Sequence, residues 1–184
     1  ICAGVRKARG RHRRLDGMKE ACTSLRMWEL FAGWAATTTC ECAMYNWQSM
    51  EPVDLIYGTD LLEPAARKQV IEQLRRWEPD LVIMTPPCGP WSAMQRRNDP
   101  DLVAMKRKLH QPFWHLVSEV WREQDQAGRL VLLEQRWGAD SFKQSLMMMR
   151  KNVFRARVAQ CMANLRDPES QKLYQKWTAL DIND

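Results

Sequence analysis

The sequence predicts an α/β domain: a doubly wound, mostly parallel sheet covered by helices on both faces, three layers in αβα order. Two observations carry that expectation. Residues 81–84 (Leu-Val-Ile-Met) and 130–133 (Leu-Val-Leu-Leu) are short, uninterrupted apolar runs, the pattern of strands buried on both faces. Between such runs lie stretches with apolar residues at i, i+3 and i+4, the pattern of amphipathic helices.

Taken in order, residues 25–31 read as a strand and Ala32-Gly33 as a turn. Residues 35–45 read as a helix, weakened by the run Thr37-Thr38-Thr39. One strand follows near 48–53 and another near 55–57, the latter ended by Gly58-Thr59-Asp60. Pro64 opens a helix as its first-turn residue, with Val70, Ile71, Leu74 and Trp77 on its buried face. The strand at 80–84 stops at Thr85-Pro86-Pro87. Asp99-Pro100 caps a long helix with Leu102, Met105, Leu109, Phe113, Leu116 and Val120 along one face. A bend is expected at Pro112. Gly128 ends that helix and the strand at 130–133 follows. Beyond Gly138 the sequence suggests a helix through 147–149, a strand near 153–160 and a turn at 167–170. There is no internal repeat.

A chain of 184 residues suits one domain. No apolar run approaches the roughly 18 residues of a membrane span, and no signal-peptide pattern opens the chain. Of the net charge of +6, residues 1–20 carry seven basic and two acidic groups, which leaves the remainder nearly neutral. Residues 1–24 therefore read as a basic, disordered arm able to touch phosphates, 25–165 as the domain, and 166–184 as a C-terminal extension. The six cysteines contain no C-x-x-C pair and the three histidines do not complete a finger, so no metal is expected. Free thiols suggest an intracellular setting, nucleus or cytoplasm unresolved. The chain begins with Ile1 and reads as a piece of a longer polypeptide.

In an open α/β sheet, ligands bind outside the carboxyl ends of the strands. At those ends the sequence sets Gly33, the carboxylates Glu51, Asp54 and Asp60, Cys88 in a proline-stiffened loop, and Glu134 after an apolar run. Each has a plain structural reading beside the functional one. Gly33 could serve only a tight turn, and the three earlier carboxylates could cap helices. Cys88 could be a small core residue, although its setting in Pro86-Pro87-Cys88-Gly89-Pro90 suits a presented side chain better.

In order along the chain stand Phe31-Ala32-Gly33, Asp60 after a glycine, Pro86-Pro87-Cys88-x-x-Trp91-Ser92 and Glu134. This set resembles the S-adenosylmethionine-dependent cytosine-C5 methyltransferases. Their pattern runs F-x-G-x-G after the first strand, an acid after the second and G-D at the third. It continues with P-P-C-x-x-aromatic-S at the fourth and E-N-V at the fifth. The likeness covers residues 27–137, or 111 of the 184.

The resemblance implies a Rossmann-like methyltransferase fold, S-adenosyl-L-methionine as cofactor, and a nucleic acid as substrate, DNA before RNA. Phe31 would pack on the cofactor adenine, Gly33 would admit its methionine part, and Pro86 would belong to the same pocket. Glu51 or Asp54 would accept from the ribose hydroxyls, and Asp60 from the adenine amino group. Cys88 would add to C6 of cytosine while Glu134 protonates N3. The sequence departs from the family at Ala35, where a second glycine is expected, and at Gln135, where an asparagine is. Arg155 and Arg157 stand in place of a Q-x-R-x-R strand without its glutamine. There is no room for a target-recognition domain, so other parts of a longer chain are expected partners. Three readings follow: a C5 methyltransferase core, a catalytically degenerate module of a retroelement-type polyprotein, or an RNA methyltransferase.

Overall fold

The computed structural model describes residues 25–144, 147, 150, 153–160, 169–173 and 176–183. The arm expected at 1–24, residues 148–149 of the expected helix and 167–168 of the expected turn lie outside these.

Among the described residues the strands are β1 Arg26–Leu30, β2 Gln48–Ser49, β3 Leu81–Met84, β4 Leu130–Arg136, β5 Val153–Ala159 and β6 Trp177–Asn183. The α-helices are α1 Thr37–Met44, α2 Pro64–Trp77 and α3 Pro100–Gln126. The strands make one sheet in the order β2-β1-β3-β4-β6-β5. The first four run parallel, and β6 is antiparallel to both β4 and β5. The fold is α/β with a mixed six-stranded sheet, less uniformly parallel than the apolar runs suggested.

Local chemistry sets the element ends. Pro64 occupies the first turn of α2, where its missing N–H costs nothing, and Glu78 closes the helix in a left-handed conformation. The Asp99 carboxylate accepts from the Asp101 N–H at 2.8 Å and starts α3, which continues through Pro112 to Gln126. Strand alternation then sorts the side chains. Trp28, Leu30, Val82, Met84, Val131 and Leu133 share one face and pack with Val70, Ile71 and Leu74 of α2 and Trp114, Val117 and Val120 of α3. The opposite face carries Glu29, whose carboxylate meets Thr39 of α1.

Three expectations change. Residues 55–57 are a 3-10 turn, not a strand: Asp54 caps its start and Gly58, at φ 85°, ends it. A three-residue apolar run is too short to reveal its period, and the cap at each end decides it. The strand expected at 48–53 shrinks to Gln48–Ser49, with Val53 meeting Leu30 in a single bridge. Finally, the stretch assigned to a C-terminal extension contains β6, which lies inside the sheet between β4 and β5.

Candidate active site

Strand order reverses between β1 and β3: the chain leaves β1 for β2 on one side and returns to β3 on the other. Such a switch point opens a crevice at the carboxyl ends of the two strands. On one side stands the loop 31–36, on the other the loop 85–88.

The β1 loop is held in a costly conformation. Phe31 (φ 60°), Gly33 (φ 66°) and Ala36 (φ 40°) are all left-handed, and for residues with a Cβ this costs about 1–2 kcal/mol each. Its hydrogen bonds offset the strain. The Phe31 N–H donates to the Val53 carbonyl at 2.8 Å, and the Thr85 hydroxyl donates to the Phe31 carbonyl at 2.6 Å. The Gly33 N–H donates to Asp54 Oδ2 at 3.1 Å. The left-handed φ accounts for glycine at position 33, and the space where a Cβ would project is open to 4 Å.

The carboxylates expected near this loop divide by role. Asp54 lies at the turn itself, accepting from the N–H groups of Gly33 and Ile56 and so joining two loops. The Glu51 side chain is exposed, and only its backbone carbonyl is used, by the Trp28 indole N–H at 3.0 Å. Asp60 accepts from the Leu62 N–H at 2.8 Å as a turn cap ahead of α2. Phe31 goes elsewhere: its ring is 6% exposed and meets Phe113 of α3 edge-on at 5.4 Å. The aromatic side chain left open at this turn is Trp34, 88% exposed.

The Cys88 loop is pinned on both sides. The Thr85 N–H donates to the Leu30 carbonyl at 3.2 Å, which ties the loop to β1. Pro86 is buried, and its carbonyl accepts from the Gln135 side-chain amide at 2.6 Å, which ties the loop to β4. Cys88 is half-buried with a free thiol, and its carbonyl accepts from the Trp91 N–H at 3.0 Å to open a 3-10 turn. Trp91 then anchors the turn against Trp114, rings 5.9 Å apart. Arg107 crosses the Trp91 ring at 5.1 Å and donates to the Pro90 carbonyl at 3.0 Å.

Glu134 lies inside β4, which runs on to Arg136 and does not stop at residue 133. It follows Leu133, the partner of Met84 at the end of β3, so it stands beside the start of the Cys88 loop. Glu134 is half-buried, and its two neighbours hold that loop: Gln135 through Pro86, and Arg136 through a 2.8 Å bond to the Ser92 hydroxyl oxygen. Gly33, Asp54, Pro86, Cys88 and Glu134 thus gather at one rim, while Glu51 and Phe31 present no side chain to it through any of these contacts.

Sequence reading missed three features. Gln135 is fully buried as the strut of the Cys88 loop, not a gap in a motif. Glu29 is 4% exposed, its carboxylate accepting from the Thr39 N–H and hydroxyl at 2.8 and 2.7 Å; an acid within an apolar strand was the available signal. Burial, with the Glu29 charge, pushes the Cys42 thiol up. Asp181 is fully buried between Arg150 at 2.7 Å and Arg155 at 2.5 and 2.7 Å.

Basic side chains flank the Cys88 loop. Asp140 pairs with Lys143 at 2.9 Å, Arg107 at 2.8 Å and, more loosely, Arg96 at 3.8 Å. The hydrogen bond from Lys143, followed by that from Arg107, holds its carboxyl below the ordinary value against the opposing effect of burial. Arg97 is exposed beside them. A surface cavity of about 310 Å³ lies apart from this rim, between α2 and α3, lined by Arg67, Arg75, His115 and Glu119 among others. Among the described residues no helix is long and apolar enough to cross a membrane, and no cluster of His, Cys, Asp and Glu could hold a metal ion. Compared with known proteins, the chain matches no family model and no curated relative.

Proposed function

We propose that this chain is an S-adenosylmethionine-dependent methyltransferase-like domain acting on C5 of cytosine in a nucleic acid, DNA before RNA. One observation carries the reading: Cys88 lies in the loop that follows β3 and Glu134 on the adjacent parallel strand β4, one residue past the Met84–Leu133 pair, in a unit braced by the Gln135–Pro86 and Arg136–Ser92 bonds. We read the sheet as doubly wound, its crevice at the β1/β3 reversal, with α1 on one face and α2 and α3 on the other. The free thiols Cys40, Cys42 and Cys88 support an intracellular setting.

The cofactor fits this rim in part. The space over Gly33 is open, and the Asp54 carboxylate stands at the same turn. Phe31 is committed to the core, so the aromatic contact falls to exposed Trp34, whose carbonyl accepts from the Tyr57 hydroxyl at 3.1 Å. When bound, the cofactor supplies the methyl group.

The chain's own residues activate the base. The Cys88 thiolate adds to C6 of cytosine while Glu134 delivers a proton to N3, so the displaced ring electrons make C5 nucleophilic. Loss of H5 as a proton, return of the N3 proton and departure of the thiolate restore the aromatic ring. The thiolate, not the thiol, is the attacking form. A cytosine within a duplex must first leave the stack to reach Cys88.

A second reading, a non-catalytic module of a longer polyprotein, is favoured by the Phe31 ring lying in the core and by Asp54 and Asp60 serving as caps. Transfer of labelled methyl groups from S-adenosylmethionine to cytosine-containing DNA and RNA separates the two. The first reading expects incorporation that Cys88→Ala abolishes. Absence of incorporation into either polymer favours the second.

A further inference from the structure

We infer that Trp137, Arg157 and Trp177 form a stacking surface for the unpaired bases of a single-stranded nucleic acid, with Arg96, Arg97 and Lys143 along its phosphates. The strand register brings the three together. Gln135, Ala179 and Arg157 are partners across β4, β6 and β5, and Trp177 lies opposite Ala159 two pairs nearer the rim. The Trp137 N–H donates to the Trp177 carbonyl at 3.0 Å just beyond the end of β4. The Arg157 guanidinium lies 3.9 Å from the Trp177 ring centre and 5.2 Å from that of Trp137.

Exposure separates this group from the tryptophans of the core. Trp28, Trp114 and Trp121 are buried at 0–2%, whereas Trp137 and Trp177 are 40% and 36% exposed, and Arg157 between them is exposed as well. Two indoles and a planar cation in alternation offer the flat, polarizable surfaces on which bases stack without regard to sequence. A backbone track adjoins them. Gly138 and Ala139 lead from Trp137 to Asp140, where one carboxylate faces Arg96, Arg107 and Lys143. The Arg96 and Lys143 side chains remain 66% and 71% exposed. Aromatic platforms beside a cationic track are the working parts of single-strand recognition. A duplex keeps its base faces covered by stacking and offers phosphates and groove edges instead. The surface lies on the rim that carries Glu134, but binding there does not rest on methyl transfer.

Fluorescence anisotropy of labelled strands of about 20 nucleotides, titrated with the whole chain, tests the inference. Oligo-dT, oligo-U and a duplex are compared, with thermal melting of each variant alongside. Strand binding tighter than duplex binding is expected, weakened about 5–10-fold by Trp137→Ala and by Arg157→Ala. Duplex affinity should move less than about twofold, because phosphate contacts dominate it. Trp137→Phe should retain most of the affinity. Arg157→Lys, which keeps the charge and loses the plane, should not. Where an alanine variant fails to fold, these two conservative variants decide. Binding is read without S-adenosylmethionine, where no methyl transfer can occur, so a failed methyl-transfer reading leaves this result standing. Preference for oligo-dT assigns DNA and preference for oligo-U assigns RNA. A duplex bound as tightly as either strand, or folded Trp137 and Arg157 variants that bind like the parent, overturns the inference.

Discussion

The Gln135 side chain, fully buried on β4, donates its amide to the Pro86 carbonyl at 2.6 Å, and through that bond the strand bearing Glu134 fixes the loop bearing Cys88. Its Oε1 accepts from the Ser141 hydroxyl at 3.3 Å, so both ends of the amide are occupied. Removing a partner from a buried polar group costs more than the bond itself, about 1–3 kcal/mol. Gln135→Leu should therefore lower the unfolding free energy by an amount in that range, read as a lower urea midpoint with an unchanged slope. A variant as stable as the parent would show that Pro86 does not depend on this strut.

Gly33 gives a cleaner backbone test. A Cβ there meets nothing within 4 Å, yet φ is 66°. Gly33→Ala should cost about 1–2 kcal/mol from conformation alone. Asp54→Ala, which removes the acceptor for the Gly33 and Ile56 N–H groups, should cost about 1 kcal/mol. Chemical denaturation of the two single variants and the double checks both. Because the residues touch, their effects should fall short of additivity.

Much of this architecture was readable in advance, for identifiable reasons. β3 and the start of β4 are uninterrupted apolar runs, and α2 and α3 carry a proline or a capping aspartate at the first turn. The turn at Leu55–Tyr57 was misread because three apolar residues have no measurable period, although Asp54 and Gly58 marked both ends. β6 was missed because it holds Asp181, a charge that makes sense only beside Arg150 and Arg155 from distant parts of the chain. Cys88 was legible as a loop residue beyond a strand end, whereas Glu134 lies within β4, which runs on to Arg136. Gln135 was not legible, because its role depends on a carbonyl 49 residues away.

The Arg150–Asp181–Arg155 group should be stabilising only while complete. Arg150 and Asp181 side chains are 5% and 0% exposed, and the Arg150 guanidinium also lies 4.5 Å from the Trp121 ring centre. Burial pulls the Arg150 pKa down, opposed by the Asp181 charge. Deleting the anion leaves buried positive charge unpaired, so Asp181→Ala should cost about 3–5 kcal/mol. A loss below about 1 kcal/mol in equilibrium unfolding would mean that water reaches these arginines readily.

His110 should make stability fall on mild acidification. Its ring meets Phe113, the partner of Phe31, edge-on at 5.3 Å, and its Nδ1 is buried without a hydrogen-bond partner among the described residues. Burial lowers its pKa from 6.5, so the unfolded chain binds the proton first. Stability is then greatest above 6.5 and declines as pH falls from that value toward the folded-state pKa. Melting temperatures measured from pH 8 to pH 5 should decline more steeply for the parent than for His110→Gln. Parallel profiles would assign the acid sensitivity to other groups.

The central claim is that Cys88 attacks a cytosine ring. Its most direct test is covalent capture by DNA containing 5-fluorocytosine, in which fluorine replaces the H5 that must leave. With S-adenosylmethionine present and any further domains of the natural chain in place, the account predicts a denaturant-resistant protein–DNA adduct mapped to Cys88 by mass spectrometry. Cys88→Ser should form none. No adduct despite demonstrated cofactor and DNA binding, or an adduct that survives in Cys88→Ser, would contradict it.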